Sequence, residues 1–454
     1  MRRSTKLQAV ALVATLAAGV ALVAPATASA EPSPSEQLAE SLQLAMQDAA
    51  FDEVVDFEYD SADGPAPQVA NMPNVDVAVI ELDQMGRPIA AANVLQSRDF
   101  PEGHVVELDD DLAATGVDWR AWDIDRWDGD WNAPFAAGSQ IVPGSEGETF
   151  MSPYPASTFK LLVAVHTLQL VDAGVIDLDA EFVYKRQRGD TCLGERAKFR
   201  STTAAELEKM ITYSSNLSTC ALLKQLHKLH EIGAMNQGYV DLGLPTLQVT
   251  GTDAGAGGTW NPGSIHMTAM DTARLLLIVN GSPGVLWKAP DGNPVVADRV
   301  LSEGSQALLM KHLGNQGFNE VLSTPNWCGL DYPAQGIPAT VPERWVDPVD
   351  GTVTVDGIPY FQDVRPCNEA AEVTFAHKTG LTYNYGSDAG IVKAVAGQDG
   401  RHYIVAAFAN LGYRYSDASQ ADSPDLPCFV SGVCYTEKFA ILGKSIDDLM
   451  RKVS

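Results

Sequence analysis

The sequence predicts an α/β fold, in which a mainly antiparallel sheet built from both chain ends is flanked by helices and interrupted by an inserted all-helical domain. Three observations lead to this prediction. Strand-like runs occur within residues 76–94 and again within 373–411. Between about residues 150 and 280, apolar residues recur with helical spacing instead. Because strands lie at both ends with helices between them, one sheet should take strands from both ends.

The first 30 residues have the features of a secretory signal peptide. Arg2, Arg3 and Lys6 precede an apolar stretch, and small residues at 28–30 suit a cleavage site. No other segment reaches the roughly 18 consecutive apolar residues of a membrane span. We therefore expect a secreted, extracellular protein with no membrane anchor.

The elements of the N-terminal half-sheet follow in order. Residues 36–50 have the apolar spacing of an amphipathic helix. Residues 76–82 and 88–94 are predicted strands, joined by a turn at 84–87. This helix and hairpin should form the first part of the sheet domain.

An inserted lobe is predicted at about residues 96–149. It interleaves four tryptophans with four aspartates: Trp119, Trp122, Trp127 and Trp131 with Asp123, Asp125, Asp128 and Asp130. The acidic run misses the EF-hand pattern by one residue, so a solvated loop is favoured over a calcium site. The tryptophans could line a sugar-binding face or pin the lobe to the core, and we favour pinning.

Helices are predicted at 158–173, 203–213, 217–230 and 268–279, and residues 282–372, rich in Pro and Gly, include a second insertion. The remaining predicted elements are a strand at 373–376, a hairpin of 388–395 with 402–411, and a helix at 436–452. The mature chain, 31–454, is thus expected to be one unit: a sheet domain (31–95 plus 373–454), a helical domain (about 150–280) and two insertions (about 96–149 and 282–372).

The charge balance excludes two classes of partner. The formal net charge is −27, and removal of the signal segment, which carries three cations and no carboxylate, would make it about −30. Nucleic acids and anionic surfaces would both repel such a chain.

Six cysteines in an exported chain allow up to three disulfides, in fifteen possible pairings. We expect Cys192–Cys220, Cys328–Cys367 and Cys428–Cys434, with short separation the only argument for the last two. One or more free thiols remain the alternative. No cysteine or histidine spacing indicates zinc, and no metal or other cofactor is expected.

Three short strings carry the chemistry: Ser157-x-x-Lys160, Ser214-x-Asn216 and Lys378-Thr379-Gly380. A serine hydroxyl needs a base within hydrogen-bond reach, and residues three apart on a helix share a face. A helix N-terminus, a second nearby cation and burial would all favour a neutral, proton-accepting Lys160. Alone, this string would indicate only a helix start with an exposed lysine, and Ser214 could be a helix N-cap.

Together and in this order, the strings resemble those of the serine β-lactamase and penicillin-binding D,D-peptidase superfamily, most closely its class A branch. The likeness covers about residues 74–95, 150–280 and 373–450. It implies a β-lactamase/transpeptidase-like fold. It also implies a nucleophile at Ser157, a base at Lys160 and a proton relay at Ser214.

The resemblance implies binding roles as well. Asn216 would hold the substrate's amide side chain. Lys378 and Thr379 can hold a substrate carboxylate, and Gly380 keeps the strand edge open for the substrate backbone. The backbone N–H groups of Ser157 and Leu381 would form the oxyanion hole. The family's usual Asp between the second-motif serine and asparagine is Ser215 here.

One family feature is missing from the sequence. Class A enzymes hydrolyse the acyl-enzyme with a glutamate in a Glu-x-x-Leu-Asn pattern some 36 residues after the second motif. Here Asp253 is the only carboxylate near that place. It is a candidate for activating the deacylating water, and a turn aspartate beside Gly251 is the alternative.

Three functions follow from these observations. The first is a class A-like β-lactamase that opens β-lactam amides through an acyl-enzyme on Ser157. The second is a D,D-carboxypeptidase-like, penicillin-binding hydrolase acting on cell-wall peptides with slow β-lactam release. The third is a non-catalytic binding relative. We expect a monomer and a small-molecule or peptide substrate, β-lactam or D-alanyl-D-alanine-like.

Overall fold

The computed structural model describes residues 32–57, 66–185, 192, 198–328, 335–398, 400–420 and 437–453. The signal peptide predicted at 1–30 lies outside them. Residues Pro34–Ser454 form one compact unit. Within the described part of the chain, no helix combines the length and apolar character needed to cross a bilayer.

The main sheet takes strands from both ends of the chain, as predicted. Its six strands in the described residues are β1 (Val75–Leu82), β2 (Pro88–Gln96), β3 (His104–Val105), β4 (Val373–Leu381), β5 (Gly386–Ala394) and β6 (His402–Ala409). They lie in the order β4-β5-β6-β1-β2-β3, and every neighbouring pair is antiparallel. The predicted fold class is confirmed.

In the part of the chain that the structure describes, eight longer helices surround the sheet. They are α1 (Pro34–Ala49), α2 (Lys160–Asp172), α3 (Thr203–Thr212), α4 (Asn216–Leu229), α5 (Ile232–Asp241), α6 (Ala269–Val279), α7 (Glu303–Gly314) and α8 (Glu437–Val453). The sequence predicted six of these within a few residues and missed α5 and α7. Shorter helices lie at Ile124–Asp128, Ala297–Val300 and Arg365–Ala370.

Both faces of the sheet are covered, and β1 shows why. Successive side chains of a strand point to opposite faces. Val77 and Val79 lie in the apolar cluster that includes α1 and α8, whereas Ala78 and Ile80 lie in the cluster that includes α2 and α6. Burial on both faces explains why this strand is a nearly continuous apolar run.

The two insertions have structure of their own. In the first, Val117–Ala121 pairs in parallel with Glu148–Ser152. Trp119 and Trp127 are buried in this region. In the second, strands Val353–Val355 and Ile358–Tyr360 form a hairpin.

Two of the three predicted disulfides are confirmed. Cys192 pairs with Cys220 and Cys328 with Cys367, with Cα–Cα distances of 6.3 and 6.1 Å. The predicted Cys428–Cys434 pair lies outside the described residues.

Candidate active site

The first motif lies on a tight turn at the start of α2. A 3₁₀ turn, Ala156–Phe159, precedes Lys160, and Ala156 has a left-handed φ of 46°. The Thr158 hydroxyl lies 2.7 Å from Ser387 Oγ and donates to the Lys378 carbonyl at 3.2 Å. These bonds fasten the turn of Ser157 to strands β4 and β5.

Lys160 is fully buried, and its side-chain nitrogen contacts Ser157, Ser214 and Asn216 of the first two motifs. Its Nζ lies 2.9 Å from Ser157 Oγ and 3.1 Å from Ser214 Oγ. It also lies 2.8 Å from Asn216 Oδ1 and 2.5 Å from the Ser214 carbonyl oxygen. The exposed lysine of the alternative interpretation is therefore excluded.

Ser214 occupies the sharp connection between α3 and α4. Its φ of 58° is left-handed, a conformation that costs energy for a residue with a Cβ. The N-cap of α4 is Ser215, whose hydroxyl accepts from the Ser218 N–H at 3.2 Å. Because the next residue performs the capping, the Ser214 hydroxyl is available to the two lysines.

The third motif brings the second lysine to the same point. Lys378 Nζ lies 3.0 Å from Ser214 Oγ and donates to the Thr379 carbonyl at 2.6 Å. The Ser214 hydroxyl thus lies between the amines of Lys160 and Lys378. Residues from three separate parts of the chain converge on one pocket.

Electrostatics in this pocket oppose two simultaneous positive charges. Burial lowers the pKa of Lys160 well below its ordinary value, and the positive charge of Lys378 lowers it further. Burial also lowers the pKa of Lys378 to about 7, partly opposed by the Asp388 carboxylate. The pocket therefore favours a neutral Lys160, which can accept a proton from a serine hydroxyl.

Gly380 allows β4 to approach the serine turn. A Cβ at this position would lie 2.7 Å from Ser157 N, 2.5 Å from the Pro155 carbonyl oxygen and 2.3 Å from Ser387 Oγ. No side chain fits there without displacing the strand, so the glycine is required by close backbone approach.

His377, to which the sequence assigned no chemistry, is a buried structural link. Its Nδ1 lies 2.7 Å from Asp388 Oδ1 and its Nε2 lies 2.9 Å from Asn319 Oδ1. The ring stacks on Phe375 at 4.1 Å between centroids. It joins β4 to the segment that follows α7.

A cleft of about 290 Å³ opens beside Ser157. The predicted residues Ser214, Asn216, Thr379 and Leu381 line it. The opposite wall comes from the second insertion and its neighbours, which the sequence did not connect with the site: Phe318, Glu320, Asp356 and Ile358, with Tyr213 and Tyr413.

Contacts with the helical domain hold this wall in place. Trp345 packs edge-on against Tyr213, with ring centroids 5.2 Å apart. Arg344 pairs with Glu208 at 2.9 Å and donates to Tyr213 Oη at 3.0 Å. Within the wall, the buried Glu320 carboxylate accepts a hydrogen bond from the Tyr360 hydroxyl.

Asp253 is not brought into this cleft. It is exposed, and its Oδ1 accepts from the Gly255 N–H at 2.7 Å. It lies in the short pairing of Thr252–Asp253 with Thr259–Trp260 and is not among the residues that line the cleft. This environment is that of the turn aspartate given as the alternative.

Fold and site together define a mixed α/β protein of the β-lactamase/transpeptidase-like type, in which a serine that lines the cleft is paired with a fully buried lysine at the edge of the sheet. Residues 148–326 match the beta-lactamase enzyme family. The predicted relationship to the serine β-lactamase and penicillin-binding protein superfamily is thereby confirmed. The matched segment contains the Ser157 and Ser214 motifs, and the Lys378 motif lies beyond it.

Solved structures that resemble this chain share little sequence with it. PBP-A is 14% identical, with 91% of this chain and 97% of that chain covered and a TM-score of 0.47. A β-lactamase from Sphaerobacter thermophilus is 14% identical, with 91% and 97% covered and a TM-score of 0.42. One from Chitinophaga pinensis is 15% identical, with 66% and 86% covered and a TM-score of 0.40. No curated protein matches the chain.

Proposed function

We propose that this protein is a secreted serine hydrolase of the class A-like β-lactamase type, which opens β-lactam amides through an acyl-enzyme on Ser157. The observation that carries the proposal is the convergence of two hydroxyls and two amines. Ser157, Lys160, Ser214 and Lys378 are connected by nitrogen–oxygen distances of 2.9 to 3.1 Å.

The proposed acylation begins with proton transfer from Ser157 Oγ to a neutral Lys160. The serine oxygen then attacks the carbonyl carbon, and the backbone N–H groups of Ser157 and Leu381 donate to the developing oxyanion. As the carbon–nitrogen bond breaks, Ser214 gives its proton to the departing nitrogen and takes back the Ser157 proton from Lys160, whose Nζ lies 3.1 Å from Ser214 Oγ; Lys160 is then neutral again, and Lys378 keeps its charge. Asn216 would hold the substrate's amide side chain.

Substrate orientation in this proposal depends on Lys378 and Thr379. A substrate carboxylate would bind to the ammonium of Lys378 and the hydroxyl of Thr379, which lines the cleft. A bound carboxylate would also stabilise the charged form of Lys378. That leaves Lys160 as the neutral member of the pair, which proton acceptance requires.

A second candidate is a D,D-carboxypeptidase-like, penicillin-binding hydrolase that releases β-lactams slowly. The position of Asp253 favours it, because a carboxylate outside the cleft cannot direct water at the acyl-enzyme. A non-catalytic binding role is disfavoured by the buried lysine pair, since burying two amines beside each other costs stability that binding alone does not require.

Purified protein mixed with nitrocefin and, separately, with a fluorescent penicillin distinguishes these functions. Rapid multiple turnover supports the β-lactamase, and a long-lived covalent adduct with little turnover supports the penicillin-binding hydrolase. Absence of both signals would contradict an active serine. Ser157→Ala should abolish either signal, and a signal that survives would exclude Ser157 as the nucleophile.

A further inference from the structure

A second cavity, of about 580 Å³, lies between the first insertion and the sheet domain. It shares no lining residue with the cleft beside Ser157. The lining residues that matter here are Asn74, Asp99, Arg126, Trp131, Phe135 and Glu148. Its volume falls within the roughly 300–1,000 Å³ of small-molecule sites.

Three guanidinium groups alternate with two aromatic rings beside this cavity, and Arg126 is the one of the three that lines it. Arg126 lies over Phe135 at 4.0 Å and over Trp131 at 5.0 Å from the ring centroids. Arg98 lies over Trp131 at 5.2 Å, and Arg120 over Phe135 at 5.2 Å. A cation within about 6 Å of a ring centroid is attracted by the ring, so these contacts favour the observed positions of the guanidinium groups.

Two of these arginines have no carboxylate partner among the described residues. Arg120 is neutralised by Asp118 at 2.6 Å, whereas Arg98 and Arg126 form no ion pair there, in a chain with 58 acidic and 31 basic residues. Nη1 of Arg98 and both Nε and Nη1 of Arg126 are buried without a hydrogen-bond partner. Asp99 lines the cavity, but its carboxylate accepts from Trp131 Nε1 at 2.8 Å.

Arg126 lines the cavity, and the planar fork of N–H donors on a guanidinium matches the two oxygens of a carboxylate. The cavity also offers acceptors. Asn74 is fully buried; its Nδ2 donates to the Met151 carbonyl at 2.9 Å, but its Oδ1 has no partner. Asp99 and Glu148 supply further acceptors for hydroxyl groups.

We infer that this cavity binds a sugar acid, with the carboxylate on Arg126 and the hydroxyls on the Asn74, Asp99 and Glu148 oxygens. A bare anion would leave the acceptors unused, and a neutral sugar would leave the guanidinium donors unpaired. The inference does not depend on the function proposed for the Ser157 cleft. It assigns the first insertion a binding role in addition to its packing against the core.

Isothermal titration calorimetry of the purified protein with glucuronic acid tests the inference, with glucose and sodium acetate as matched probes. We expect saturable binding of glucuronate, and at least tenfold weaker binding of both glucose and acetate. Absence of saturable glucuronate binding would overturn the inference. Acetate binding as tight as glucuronate binding would overturn it too, because the site would then recognise only a charge.

Two variants locate the site. Arg126→Gln should weaken glucuronate binding at least tenfold, because it removes both the charge and the paired donors. Arg299→Gln is the matched control, since Arg299 is an exposed arginine that also forms no ion pair among the described residues and does not line this cavity. Unchanged glucuronate affinity in Arg126→Gln would refute the assignment of the carboxylate to Arg126. If that variant does not fold, the titrations of the wild-type protein still test whether the protein binds a sugar acid.

Discussion

The close approach of Gly380 to the serine turn makes Gly380→Ala a sharp test of the proposed oxyanion hole. The new Cβ would lie 2.7 Å from Ser157 N and 2.5 Å from the Pro155 carbonyl oxygen, whereas ordinary contacts begin at 3.4 Å. Strand β4 and the turn must therefore separate by about 0.7–0.9 Å, the difference between these distances. This movement would carry the Leu381 N–H away from the Ser157 N–H.

Gly380→Ala should lower the rate of acylation. Losing one oxyanion donor typically costs about 100- to 1,000-fold, and a displacement near 1 Å has a comparable effect. We expect the second-order rate constant for acylation by a fluorescent penicillin to fall about 100-fold in Gly380→Ala.

The measurement is the rate of covalent labelling, with thermal unfolding followed in parallel. Gly238→Ala is the matched control, because a Cβ at Gly238, within α5, meets no atom within 4 Å. It should label at the wild-type rate. Labelling of a folded Gly380→Ala variant within threefold of wild type would refute the argument that this contact positions the oxyanion donors.

Three further predictions follow from the pocket and its surroundings. Burial lowers the pKa of Lys378 to about 7, so its ammonium is lost as pH rises through that value. Acylation by an anionic β-lactam should therefore decline above pH 7 in a pH–rate profile, and Lys378→Arg should remove this decline. A decline that persists in the variant would exclude Lys378 as its source. Asp253→Asn should leave the adduct lifetime and nitrocefin turnover unchanged, because Asp253 lies outside the cleft; a trapped adduct in that variant would contradict this. Replacing Cys328 and Cys367 by serine opens a bridge spanning 39 residues, and should lower the free energy of unfolding in denaturant by about 4 kcal/mol; an unchanged midpoint would show that the bridge contributes nothing.

The second insertion supplies part of the lining of the cleft beside Ser157, in addition to the residues of the three motifs. The hairpin Val353–Val355 and Ile358–Tyr360, together with Trp345, forms a wall against the helical domain. The second insertion thereby places the carboxylates Glu320 and Asp356 in the cleft with Ser157. We therefore expect substrate selection to depend on residues 318–360 as much as on the three motifs.

The regular elements could be predicted from sequence because their signals are local. Helix α4 repeats apolar residues with helical spacing, and strand β1 is a nearly continuous apolar run; both patterns are visible without knowledge of neighbours. The segment 282–372 has no such period. Helix α7 was missed there, and the wall residues gave no local signal, since their position depends on contacts with Tyr213 and β4.

Within the site, the sequence by itself determined the chemical types. A serine three residues before a lysine, a serine–asparagine string and a Lys-Thr-Gly string predicted the Ser157 pocket, because each string is a local pattern tied to one element. Only the tertiary structure decided which groups meet. Lys378 reaches Ser214 across 164 residues of chain, Ser215 takes the capping role that frees Ser214, and Asp253 remains outside the cleft. These outcomes depend on long-range packing of the sheet against the helical domain, which no short stretch of sequence encodes.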